Sequence, residues 1–348
     1  RFIRMSINPV EIPTGAVRFN TDSGSMEVYV GNTWMEVAVT ESAPIGGRML
    51  VQQGEVSPRT SIDNINMTTQ GDAVEFGDTT KEFYECAACG NRTIGVFAGG
   101  TYGTNNNIME FVTIATNGNA ADFGDMAEST NPGGGGGNQT RGILCGGAYP
   151  NSNMISFFSM ASKGNASDFG ADSPFSGAYS AALGSPTRTI MFSGRMASPG
   201  PGYKTTDDIW FITPQSTGIV NDFGTYQNAS GSDGSFNAAG ASSPTRGIIA
   251  GGYAGTHPSG ANTNQMEFLT IATTGNSVDF GDLTKSKQMS KGAATSVRGF
   301  FAFGYSTPTP VDSVDSVIFT SLGNAVHFAD LTVQTGSGMS LSNAHGGL

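Results

Sequence analysis

The chain has 348 residues, of which 50 are Gly and only 13% are charged, and its formal net charge is −11. Gly and β-branched residues are poor helix formers, so this composition excludes a helical bundle and fits an all-β chain with many tight turns. The 17 Lys and Arg are scattered, which argues against a nucleic-acid surface, and no apolar run nears the roughly 18 residues that cross a membrane as a helix.

The first segment, 1–45, opens on "RFIRMSINPVEIP", which lacks the apolar core of a secretion signal. From 15 to 39 it reads "GAVRFNTDSGSMEVYVGNTWMEVAV". Three alternating stretches joined by "DSG" and "GN" turns predict three short antiparallel strands. Val17 and Phe19 alternate on the first strand, Val28 and Val30 on the second, and Tyr29 and Trp34 are its bulky anchors. A segment this small does not bury a self-sufficient core. Val17, Phe19, Tyr29 and Trp34 are therefore candidate attachment residues, expected to find their core on another chain.

From residue 46 the chain repeats itself. "MEFVTIATNGNAADFGDMA" starts at Met109 and "MEFLTIATTGNSVDFGDLT" at Met266. Both belong to a longer series in which Gly-x4-Phe recurs at Gly71–Phe76, Gly118–Phe123, Gly164–Phe169, Gly218–Phe223, Gly275–Phe280 and Gly323–Phe328. An aliphatic residue stands fourteen positions before each Phe: Ile62, Met109, Ile155, Ile209, Met266 and Val314. A second phrase interleaves: "TRGILCGG" at 140–147 and "TRGIIAGG" at 245–252, with looser copies at 93–100, 187–194 and 297–304 and an eroded one, "GRMLVQQG", at 47–54. Each unit thus reads as strands "GIIAGG", "MEFLTIAT" and "SVDFGDL", then a weaker one such as "KGAATS" at 291–296. Four short strands in about 45–50 residues is the length of a propeller blade.

The first unit has no strand ahead of "GRMLVQQG", whereas "GSGMSLSNAHGGL" at 336–348 aligns with a first strand and has no others behind it. The expected fold is all-β: a six-bladed β-propeller over 46–348, closed by exchange of its last strand into its first blade, with a small N-terminal β module at 1–45. Closure of this kind removes free sheet edges.

The order of strand, Gly pair, loop, strand, turn and aromatic resembles kelch repeats, with Phe where kelch blades usually carry Trp. The phrase at 15–39 looks like a module near the start of tailed-bacteriophage structural proteins, in which "G-x-[IV]-R-[FY]-N-T" leads to "[VY]-x-[GN]-x-x-W". The matching residues are Gly15, Val17, Arg18, Phe19, Asn20, Thr21, Tyr29, Gly31 and Trp34. Repeats rich in "DFGD" and "TRG" are also similar to those of propellers in marine and cyanobacterial phage virion proteins. The resemblance implies a kelch-like virion component, assembled in the bacterial cytoplasm, with other virion proteins as partners.

Candidate chemistry is sparse. "CAAC" at Cys86–Cys89 has the spacing of a redox or half-zinc motif, but no second Cys pair or neighbouring His accompanies it. By repeat alignment the pair occupies positions held elsewhere by Ala238 and Ala241, and Cys145 that of Ala250, so small core residues are the plainer reading. His257, His327 and His345 stand in unrelated positions. The acidic column Glu75, Asp122, Asp168, Asp222 and Asp279 recurs once per unit, which fits a turn or inter-blade hydrogen bond better than a unique catalytic site.

The connections are more informative. First-to-second and third-to-fourth links are short and uniform, whereas second-to-third and fourth-to-first links vary widely, from "AYPNSN" to "RMASPGPGYKTTD". In a four-stranded meander the two variable sets emerge on one face, and loops that vary on a constant scaffold are where binding sits. Tyr102, Asn105, Tyr149, Tyr203, Tyr253, His257 and Tyr305 lie in these links. They are candidate binding-face residues, whose aromatics suit sugar stacking or protein contacts, or else cap the propeller's own core. The expected function is a non-enzymatic virion protein, without cofactor or metal, docked through 1–45 and homo-oligomeric in the particle. It would display its propeller to a host-surface glycan or another virion protein, as a tail-fibre adhesin or a head or tail decoration protein. The alternatives are a virion-borne polysaccharide-degrading enzyme and a secreted kelch-type oxidase.

Overall fold

The computed structural model describes residues 12–20, 25–36, 47–54, 59–102, 104–148, 152–174, 180–196, 204–226, 234–255 and 259–348. These residues form strands and turns, with no helix among them. The chain divides into two compact units, 1–45 and 46–348.

The first unit is a three-stranded antiparallel sheet: β1 (Val17–Asn20), β2 (Ser25–Val30) and β3 (Thr33–Glu36), in that order. Gly31 and Asn32, both at positive φ, make the tight turn between β2 and β3. The register sets Val28 opposite both Val17 and Met35, and Tyr29 opposite Trp34. Because side chains alternate along a strand, Val17, Val28 and Met35 share one face, while Arg18, Glu27, Tyr29 and Trp34 share the other. The apolar face is uncovered within the unit, with Val17 59% and Met35 53% exposed. On the opposite face the rings of Tyr29 and Trp34 meet edge-on at 5.2 Å. The Arg18 guanidinium lies 4.2 Å from the Trp34 ring centre and pairs with Glu27 at 2.7 Å. Hydrogen bonds from Asn20 and Arg18 hold the Glu27 carboxyl below its ordinary range.

Among its described residues the second unit contains six four-stranded antiparallel sheets, I to VI, each a simple meander. Sheet V illustrates the set: Ala239–Ser242, Arg246–Ala250, Gln265–Thr270 and Val278–Asp282. Sheet I is the exception in sequence order. Its second to fourth strands are Arg48–Gln52, Ser61–Asn66 and Val74–Asp78, and its first is Met339–Ser342. Met339 pairs with Gln52 and Ser342 with Met49, antiparallel. The first strands of sheets II to VI are Ala87–Gly90, Gly134–Gly137, Ala181–Gly184, Ala239–Ser242 and Lys291–Ala294. Each lies against the first strand of the next sheet, and Met339–Ser342 lies against those of both sheet VI and sheet II.

Apolar packing follows the same order. Each repeated Phe sits in a cluster shared with the following sheet. Phe280 of sheet V, for instance, packs with Phe301 and Phe319 of sheet VI, and Phe328 of sheet VI packs with Met49 and Ile65 of sheet I. The half-buried Phe268 meets Phe280 edge-on at 6.2 Å and is covered on its outer side by Arg246, 4.4 Å from its ring centre. That Arg, from "TRG", also donates to the Phe319 carbonyl of sheet VI at 2.5 Å. Arg188 repeats the arrangement, stacking on Phe211 and donating to the Ile271 carbonyl.

The five-residue spacing of Gly and Phe has a physical cause. In "DFGD" the Phe bulges out of register, and the next Gly takes positive φ, for example +156° at Gly77 and +140° at Gly281. The "GN" turn of the following sheet docks on that bulge. Gly118 N donates to Phe76 O at 2.9 Å, Asp78 N to Asn119 Oδ1 at 3.1 Å, and Ala120 N to Asp78 O at 2.7 Å. The set recurs between sheets V and VI with Gly323, Asn324 and Ala325. Between sheets VI and I, Asp330 N donates to Asp72 Oδ1 and Ala73 N to Asp330 O. The acidic column is corrected on this point. Glu75, Asp122, Asp168, Asp222 and Asp279 are exposed, and the side chain bridging the sheets is the Asn or Asp that follows the Gly, except between sheets III and IV, where Ile219 follows Gly218. Asp168 does serve a turn, accepting from Gly170 N at 2.7 Å.

Candidate functional site

Among the described residues, three of the variable connections pair with a neighbouring connection. Ser235–Phe236, from the link between sheets IV and V, pairs with Tyr253–Ala254, from the second-to-third link of sheet V. Asn131 bridges to Ala148 and Gln288 to Tyr305 in the same manner. Tyr253 is half-buried with its ring 5.1 Å from that of Phe236. Tyr305 is also half-buried, and its ring lies so close to Gly336 that a Cβ there would collide with it. Both rings therefore pack against their own unit. The backbone of Tyr102 and Asn105 forms a short hairpin through Thr101 and Thr104. Tyr149, Tyr203 and His257 lie outside the described residues.

One site was not singled out by the sequence. A cavity of ≈ 20 Å³, room for about one water, lies where the first strands begin. Met289, Met339, Pro132 and Ala148 line it, together with the polar side chains of Glu85, Asn131, Asn237, Lys291 and Ser337. Asn131 Nδ2 donates to Glu85 Oε2 at 3.2 Å, and Lys291 Nζ reaches to 3.5 Å from Gly133 O. Burial holds the Lys291 ammonium below the ordinary lysine range, against the pull of Glu85. Asn131 and Asn237 are 3% and 4% exposed, yet Asn131 Oδ1 and Asn237 Nδ2 are without a hydrogen-bonding partner. Buried polar atoms are almost always paired, so two orphans beside one cavity call for an explanation.

The backbone here is unusual as well. Glu85, Asn237, Met289 and Ser337 each stand two residues before a first strand, and each is a non-Gly residue at φ between 53° and 59°. Such residues carry strain of about 1–3 kcal/mol each, which concentrates at functional sites.

A second cavity, of ≈ 60 Å³, lies at the far ends of the first strands. There His345 Nε2 sits 2.6 Å from Gly90 O, and Gly346 N donates to Ser242 O at 2.8 Å. Burial lowers the pKa of His345. His327 is half-exposed, 3.7 Å from Asp330. Cys86, Cys89 and Cys145 are buried free thiols. Among the described residues no group of three His, Cys, Asp or Glu is placed to hold a metal ion. Neither family models nor curated proteins give a match to this chain.

Proposed function

We propose that this chain is a non-enzymatic structural protein of a bacteriophage particle, attached through 1–45 and binding a ligand on the variable-loop face of a six-bladed, kelch-like β-propeller. The six sheets are the blades in this reading. Three observations support closure. The last strand completes sheet I. The first strands neighbour one another in cyclic order. Sheet VI clasps sheet I through Asp72, Ala73 and Asp330, reinforced by Thr332 N donating to Asp63 Oδ2 at 3.0 Å.

The observation that supports the binding role is the pairing of variable connections with one another, Ser235–Phe236 with Tyr253–Ala254, Asn131 with Ala148 and Gln288 with Tyr305. The virion assignment rests on the likeness of residues 15–39 to a module near the start of tailed-bacteriophage structural proteins. The uncovered Val17, Val30 and Met35 face supports an attachment role for that segment. Mass spectrometry and antibody labelling of purified particles test the proposal. The protein is expected as a stoichiometric particle component, and Trp34→Ala is expected to lower incorporation while 46–348 stays folded. Finding the protein only free in the lysate overturns the virion assignment.

A further inference from the structure

We propose that an open groove beside sheet VI binds a carboxylate carried on an aliphatic body. The site goes beyond the binding role proposed above, because it lies at the opposite end of the strands from the second-to-third connections.

The groove has a volume of ≈ 480 Å³. Arg298, which starts the second strand of sheet VI, and Ile318, which ends the third, line it together with the turn 321–324 and with Thr68 and Gln70 of sheet I. Four departures from the repeat converge here. Ser316 stands where sheet V has Phe268, Ile318 where it has Thr270, Leu322 where it has Thr274 and His327 where it has Asp279. In the other five sheets the second and third of these positions are always polar and the fourth is always an acid. A site on a repeated scaffold must break the repeat, and sheet VI breaks it around one groove.

The departures leave Arg298 without its usual partners. Arg141, Arg188 and Arg246 each stack on a Phe of their own sheet and donate to a carbonyl of the next. Arg48 lacks the ring but still donates to Ile114 O at 3.0 Å. Among the described residues the Arg298 guanidinium has neither a ring nor a hydrogen-bond acceptor. Ser316 in place of a Phe removes the platform and opens the space beside it.

The chemistry of the walls selects the ligand. No Asp or Glu lines the groove, in a chain that has 28 of them. A guanidinium offers paired N–H groups that match the two oxygens of a carboxylate. His327 is already engaged by Asp330 at 3.7 Å, so one unpartnered positive charge remains. It balances one carboxylate, whereas a phosphate monoester brings about −1.5 to −2. Leu322 is 63% and Ile318 42% exposed, and covering them with an aliphatic chain is favourable in proportion to the apolar area removed from water.

The test uses the full-length protein with hexanoate and N-acetyl-leucine as probes, N-acetyl-leucinamide as the uncharged comparison and inorganic phosphate as the anion without an apolar body. Calorimetry at tens of millimolar ligand reads binding. Both carboxylates are expected to bind. Affinity should fall about tenfold or more in Arg298→Gln, fall less in Leu322→Thr, vanish in Ser316→Phe, which restores the ring, and stay unchanged in Asp122→Asn on exposed sheet II. Thermal melts check that each variant is folded. Arg298→Gln is the decisive variant, since its guanidinium makes no bond that the fold would lose. Phenylglyoxal labelling read by mass spectrometry gives a second measure: Arg298 should react faster than the engaged Arg188 and Arg246, and hexanoate should slow it. The proposal is overturned if neither carboxylate binds, if the amide or phosphate binds as tightly, if Arg298→Gln leaves binding intact, or if Arg298 labels no faster than Arg246.

Discussion

Replacing Gly281 by Ala strikes the joint between sheets V and VI. Gly281 has φ +140°, and a Cβ built on it falls 2.5 Å from the carbonyl carbon and oxygen of Gly323. The "GN" turn must retreat, and the Gly323 N to Phe280 O bond of 2.8 Å is the first to go. A lost hydrogen bond removes about 0.5–1.5 kcal/mol and the positive φ adds about 1–2 kcal/mol, so the expected loss is about 2–3 kcal/mol. At about 2.1 cal/mol/K of unfolding entropy per residue, a unit of this size loses roughly 3–5 °C of Tm.

Gly170→Ala is the internal control. Its φ is +81°, but nothing lies nearer than 3.8 Å to the new Cβ. Backbone strain alone predicts about 1–2 kcal/mol there. The protein contains its own precedent, because sheet VI carries Ala329 at this position. There Gly71, the counterpart of Gly323, makes no bond to Phe328 O among the described residues, while the Asp72 and Ala73 bonds persist. Gly281→Ala should convert one joint into the other. Urea unfolding and calorimetry of the two variants measure the difference. A Gly281→Ala loss equal to or smaller than that of Gly170→Ala refutes the collision argument.

Leu341→Ala probes the late strand of sheet I. Leu341 is 4% exposed and packs with Leu50 and Phe97, so the loss in urea unfolding should be about 2–5 kcal/mol; a loss below about 1 kcal/mol would mean that the strand contributes little. The buried thiols give a pH dependence. Burial pushes Cys86 and Cys89 up to about 12 from an ordinary 9.0, and raises Cys145 as well. The folded state therefore holds these protons more tightly than the unfolded one. Their contribution is full below pH 9 and is lost as pH rises toward 12, by about 1 kcal/mol per thiol between pH 9 and 10. Denaturation midpoints at pH 8 and 10 should reveal this fall, and Cys86→Ala with Cys89→Ala should flatten it. Rapid labelling of native thiols by a disulfide reagent at pH 8 would contradict the burial.

The strands were legible because their spacing is fixed from two sides. Gly275 and Asn276 reach back to sheet IV while the Phe280 bulge receives sheet VI, so the five-residue distance between them has no freedom to drift. Sequence misassigned the bridging side chain, since Asn276 just precedes the strand Val278–Asp282 that contains Asp279, and only the docked turn distinguishes them. In the first unit alternation marked the strands, but the register was needed to place Tyr29 and Trp34 on the face opposite Val17. The cavity left no motif at all. Glu85, Asn237, Met289 and Ser337 share a backbone angle but no residue type, and Lys291 is a lone lysine at the start of a weak strand. A constraint on φ alone writes nothing recognisable into the letters of a chain.

The late strand of sheet I has a consequence for biosynthesis. Gln52 and Met339 are paired, yet they stand 287 positions apart (339 − 52). A ribosome adding about 5–20 residues per second takes roughly 15–60 s to cover that distance. Throughout that interval Arg48–Gln52, with Met49, Leu50 and Val51 destined to be fully buried, offers an unfilled edge to any other nascent chain on the same message. Neighbouring polysomal copies expose identical edges, and a Met339–Ser342 segment released from one copy fits the vacancy in the next. Slow translation or crowded polysomes should thus favour chains joined head to tail by donated strands, and chaperone demand should fall abruptly once Met339–Ser342 leaves the exit tunnel.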